Sequence, residues 1–67
     1  MSTKEFKYQL FDKAYFFDHT ADYMLSVGNN EQMREYSYKH DAVMAVIESL
    51  NLVSEYEQFV ETGVISD

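Results

Sequence analysis

The chain contains no proline, and its only glycines are Gly28 and Gly63. A sheet protein needs several tight turns, and tight turns draw on Gly and Pro. Two widely spaced glycines leave long uninterrupted stretches, which favours helices joined by few breaks. With no Cys in 67 residues, neither a disulfide nor a thiolate metal site can staple the core. Packing has to hold this single domain, residues 1–67, together, and association into a homodimer is one way for so short a chain to supplement it. Apolar residues make up 46% of the chain, a content suited to a packed core rather than to a disordered acidic tail.

Two sets of apolar residues follow helical spacing. Phe6, Leu10, Ala14, Phe17, Ala21 and Met24 form one stripe, and Met33, Tyr36, His40, Val43, Ile47 and Leu50 form another. Ile47, inside the second stripe, is expected to be buried. Between the stripes, Gly28 suits a left-handed helix ending, and Asn29 suits an N-cap with Gln32 completing a capping box. Ser54 to Glu57 reads as a second capping box, with Ser54 as N-cap of a third helix. Gly63 then supplies its C-terminal stop, with Val64 folding back onto Phe59. Asn51 to Val53 forms the link before it. The expected fold is all-α, a small bundle of two longer helices and a short third. Two segments fit a strand as well. Phe6, Tyr8 and Leu10 alternate with Lys7 and Gln9, and residues 33–39 are similarly ambiguous, with Asp41 as an alternative cap. The competing fold is therefore α+β, with a short two-stranded sheet.

Charge is distributed unevenly. Twelve Asp and Glu oppose five Lys and Arg, for a net charge of -7. Lys4, Lys7 and Lys13 crowd the N-terminus. After Lys39 there is no basic residue, while Asp41, Glu48, Glu55, Glu57, Glu61 and Asp67 follow. Asp18/Asp22, Glu31/Glu35 and Glu57/Glu61 are each spaced to share a helix face, where like charges repel by about 0.2–0.5 kcal/mol per pair. Lys39 offsets Glu35 and Arg34 offsets Glu31, whereas Asp18/Asp22 and Glu57/Glu61 have no basic residue within one turn. A surface that only solvates the protein mixes charge signs. An acidic surface repels nucleic acid and anionic membranes and attracts basic proteins. Carboxylates repeating along helix turns roughly follow the phosphate row of a DNA strand, about 3.4 Å per phosphate.

Enzymatic and cofactor chemistry lacks a signature. The two isolated glycines make no phosphate loop, and no motif places His19 or His40 as base to a Ser or Thr nucleophile. His19 with Asp18 and Asp22, and His40 with Asp41, fall short of the three or four convergent ligands of a zinc site. His40 lies on the apolar stripe and reads as a partly buried residue. The expectation is a non-enzymatic protein with no cofactor and no metal. No apolar run reaches the length of a signal peptide or a membrane span, so a soluble, cytoplasmic protein is expected. Six tyrosines join the acids. Tyr8, Tyr15, Tyr23, Tyr38 and Tyr56 fall off the stripes, where amphipathic rings serve core edges or protein contacts.

In its length, its charge of -7, its lack of Cys and its interleaving of aromatic and acidic residues, as at Tyr56-Glu57 and Asp22-Tyr23, the chain resembles small acidic bacteriophage proteins that disable host factors. That group includes DNA mimics that fill the groove of bacterial nucleoid proteins. The resemblance is one of character across the whole chain and carries no motif or functional residue. It implies an inhibitor acting in the host cytoplasm at the nucleoid, on a basic DNA-binding protein of the HU type, without binding DNA itself. On the residues alone, Asp41, Glu48, Glu55, Glu57 and Glu61 are the first candidates for the acidic surface. Asp18, Asp22, Glu31 and Glu35 are the second set, and Tyr56 is the apolar contact. The alternative is a small helical adaptor or regulator of host transcription machinery such as RNA polymerase, binding through its aromatic surface.

Overall fold

A computed structural model describes residues 2–65. The described chain is all-α. Helix α1 spans Thr3–Ser26, α2 spans Asn30–Ser49 and α3 spans Val53–Thr62. The two longer helices form a hairpin, and the short third packs across one side of it. The strand alternative is overturned: residues 5–11 lie inside α1, residues 33–39 inside α2, and Asp41 sits within α2 rather than capping it. Alternation over a few residues loses here to uninterrupted helix formers and to the capping groups that flank them.

The helix ends show how the sequence sets the hairpin. Ser2 caps α1 by accepting the Glu5 N–H at 3.1 Å. Gly28 takes φ 80, its N–H donates to the Leu25 carbonyl, and the Asn29 N–H donates to that of Met24. This pair of bonds is a Schellman ending. Asn29 then caps α2, its side chain accepting the Gln32 N–H at 3.2 Å. Because the Asn29 N–H is already bonded to α1, one residue serves as both the exit of the first helix and the entry of the second.

The end of α2 repeats the device without glycine. Asn51 adopts φ 59, its N–H donates to Glu48, and the Leu52 N–H donates to Ile47. Asn tolerates this left-handed geometry better than other non-glycine residues. Leu52 is drawn back towards Ile47, and both join the core. This turn moves the start of α3. Leu52, not Ser54, is its N-cap, and no side chain caps it. Gly63 ends α3 at φ 73 with a single bond from its N–H to Phe59. Val64 is consequently exposed, and Ile65 enters the core in the place expected for Val64.

The central cluster comprises Phe11, Ala14, Ile47, Tyr56 and Ile65, with Leu10, Val43, Met44, Leu52, Val53 and Phe59 packed against it. Ile47 is fully buried, as the second stripe requires. The middle of each stripe faces the α1–α2 seam, while Phe6 and Leu50 at the ends are half exposed and Phe11 lies off the first stripe. It points to α3, its ring 5.5 Å from that of Tyr56 and 5.8 Å from that of Phe59. Phe59 also meets Tyr8 and Tyr15 edge-on. A helix with two neighbours buries two adjacent faces. On α1 the seam side uses Leu10, Ala14 and Ala21, and the α3 side uses Lys7 and Phe11.

Candidate functional site

Helix α3 ends against the middle of α1, and a groove of about 470 Å³ opens where the three helices meet. Asp18 contributes from α1, His40 and Met44 from α2, and Val53, Tyr56, Glu57, Val60 and Glu61 from α3. Asp18, Glu57 and Glu61 are exposed carboxylates, brought together from segments about forty residues apart. Neither Lys nor Arg lines the groove. Its floor is apolar, so the charges stand beside low-dielectric side chains, which strengthens their field towards a partner.

Local periodicity explains the convergence. Glu57 follows the core residue Tyr56 by one position and Glu61 lies one turn beyond Glu57, so both flank the buried side of α3. Asp18 follows Phe11 by two turns and faces the same side of α1 as Phe11, beyond the part most closely covered by the Phe11–Phe59 contact. Asp22 lies one further turn along α1 and is exposed. Asp41 stands beside the groove, its Oδ1 3.6 Å from His40 Nδ1. That contact is an ion pair only when the imidazole is protonated. His40 itself is partly buried.

The other candidates lie elsewhere. Glu48 is exposed on α2, two turns after Asp41 and on the same side of the helix. Glu31 and Glu35 share a separate shallow groove with Arg34 and Tyr38. Glu35 also pairs with Lys39 at 3.3 Å. Glu55 is not part of a free acidic surface: its Oε2 sits 2.9 Å from Lys7 Nζ, and the pair is largely shielded. Tyr56 is not a surface contact either. Its ring is 8% exposed and belongs to the core. Burial pushes its hydroxyl above the ordinary pKa of 10.0, and the nearby Asp18 charge and Tyr15 hydroxyl add to the shift. The tyrosines that remain well exposed are Tyr8, Tyr23 and Tyr38.

Sequence reasoning missed the floor of the groove. Met44, Val53 and Val60 carry no chemical signature and join only through tertiary packing. Among the described residues no three His, Asp or Glu side chains are arranged to hold a metal ion. No described helix is long and apolar enough to cross a membrane. The chain matches no family model, no curated protein and no solved structure.

Proposed function

We propose that the chain is a non-enzymatic inhibitor that binds a basic DNA-binding protein of the HU type and blocks its DNA site by presenting carboxylates in place of phosphates. The observation that carries this reading is the gathering of Asp18, Glu57 and Glu61 around a groove that no Lys or Arg lines. Asp41, Asp22 and Glu48 extend the negative field along α1 and α2. A partner with several Lys and Arg meets many charges at once, so encounter is steered at low salt and weakens as ions screen it. The same field repels DNA and places the inhibitor at the host nucleoid only through its partner.

The test is displacement of duplex DNA from an HU-type protein at low and physiological salt. The parent should displace DNA, and Glu57→Lys with Glu61→Lys should lose displacement while keeping the helical circular dichroism spectrum. Failure to displace DNA from any basic partner recovered by salt-graded pull-down would end the mimicry reading. A second reading, an adaptor of transcription machinery such as RNA polymerase, draws on the exposed rings of Phe16, Tyr23 and Tyr38. Binding nearly insensitive to salt would select it.

A further inference from the structure

Helix α3 covers one side of the α1–α2 hairpin. The opposite side carries a strip of apolar side chains with no helix over it. Phe6, Leu10, Lys13 and Val43 border one shallow groove of about 220 Å³ between the two helices. Val46 and Leu50 follow Val43 at helical spacing and extend the strip along α2. Phe6, Val46 and Leu50 are each close to half exposed. We propose that this strip is a homodimer interface, across which two copies pack their α1–α2 hairpins back to back into a four-helix layer flanked by the two α3 helices.

Charge favours a second copy on this side over every other. Each chain carries a net charge of -7, so two copies repel wherever their acids meet. The strip is the side from which acids are depleted. Lys13 stands at its edge, and Lys39 continues it, held over the Phe17 and Tyr36 rings and paired with Glu35. Asp41 and Glu48 lie roughly 140–160° around α2 from Val43. Asp18, Glu57 and Glu61 belong to the α3 side. Back-to-back packing therefore buries the strip and turns both acidic grooves outward.

An isologous contact also closes on itself, which leaves no free copy of the strip to propagate.

This inference is independent of the identity of the basic partner, and salt separates the two. Partner binding through carboxylates weakens with salt, whereas dimerisation of like-charged copies holds or strengthens as repulsion is screened. The experiment is sedimentation equilibrium of the full chain across the micromolar range at low and high salt, with Val46→Glu and Leu50→Glu as variants. The parent should approach twice its 7.9 kDa mass, with no loss at high salt. Both variants should remain monomeric while keeping a helical spectrum, since both positions are exposed in the single chain. A Glu57→Lys variant should dimerise like the parent. A parent that stays at 7.9 kDa throughout overturns the proposal, as does a dimer that Val46→Glu and Leu50→Glu leave intact. A monomeric parent whose retention of a bacterial protein is lost on Val46→Glu would give the strip to a different partner and equally reject the homodimer.

Discussion

Lys7 of α1 and Glu55 of α3 meet at 2.9 Å between Nζ and Oε2, with the lysine side chain 10% exposed and the glutamate side chain 33%. Oε2 is itself buried, so the two charges meet largely out of water. Glu55 also lies in the first turn of α3, where the helix dipole favours a negative group. Glu55→Gln would leave a buried ammonium beside a neutral amide. Breaking a fully buried pair costs about 3–5 kcal/mol, and the partial exposure of Glu55 lowers the expected loss to roughly 1–3 kcal/mol. Urea unfolding of the variant measures it, and an unchanged midpoint would show that the pair contributes nothing.

Ile47 and Val46 are neighbours with opposite surroundings, one fully buried and the other 46% exposed. Ile47→Ala should cost about 2–5 kcal/mol, enough to unfold much of a domain this small. Val46→Ala should cost well under half as much in the monomer. Thermal melting followed by circular dichroism compares the two, and equal losses would contradict the packing described for α2.

Asn51 holds φ 59 at the turn between α2 and α3. Asn51→Gly removes the Cβ penalty and should be neutral or stabilising by up to about 1 kcal/mol. Asn51→Val should destabilise by roughly 1–2 kcal/mol. If valine is tolerated as well as glycine, the turn is not left-handed in solution.

Tyr56 gives the fold a dependence on alkaline pH. Its folded pKa is raised above 10.0, chiefly by burial and then by Asp18 and Tyr15. As pH climbs through the unfolded value, the unfolded chain loses its tyrosine proton first. The folded state then holds more protons, so stability falls with rising pH. The contribution is fully present below pH 10.0 and is lost as pH passes through the raised folded value. Parent and Tyr56→Phe should melt with a constant difference at neutral pH, and the parent should fall behind the variant above 10.0. Parallel curves throughout would show that the hydroxyl ionises equally easily in both states.

The acidic positions are not equivalent. Replacing Asp18, Glu57 and Glu61 by their amides should weaken displacement of DNA from a basic partner by roughly tenfold or more. Replacing Glu31 and Glu35 by amides should change it far less, because Arg34 and Lys39 already offset them. The first set should not lower the melting temperature, since it relieves the Glu57/Glu61 repulsion of about 0.2–0.5 kcal/mol. Effects in proportion to the charges removed, three against two, would mean that net charge alone, not the groove, drives binding.

Much of the hairpin was legible because its signals are local. Gly28 and Asn29 act on adjacent backbone groups, and the two stripes record a single seam. What escaped notice is tertiary. Phe11 and Lys7 serve a second face of α1 that exists only because α3 packs there, and one charged residue within that face breaks the apolar pattern. Ser54 has the chemistry of a cap, yet the Leu52–Ile47 bond starts α3 earlier and leaves Ser54 inside the helix. Glu55 and Glu57 are two residues apart, and the sequence gives no reason to treat them differently. On α3 that spacing turns one to Lys7 and the other to the groove.

Helix α3 is ten residues long, too short to persist alone in water, and the groove has no wall on that side without it. The candidate groove therefore depends on α3 staying docked, and an opening that frees α3 while α1 and α2 stay paired should cost less than global unfolding. A ligand seated on Glu57 and Glu61 clamps the helix and lowers the population of the undocked form. Amide exchange in α3 should slow on binding while that in the α1–α2 turn stays the same, so the helix acts as its own reporter of occupancy.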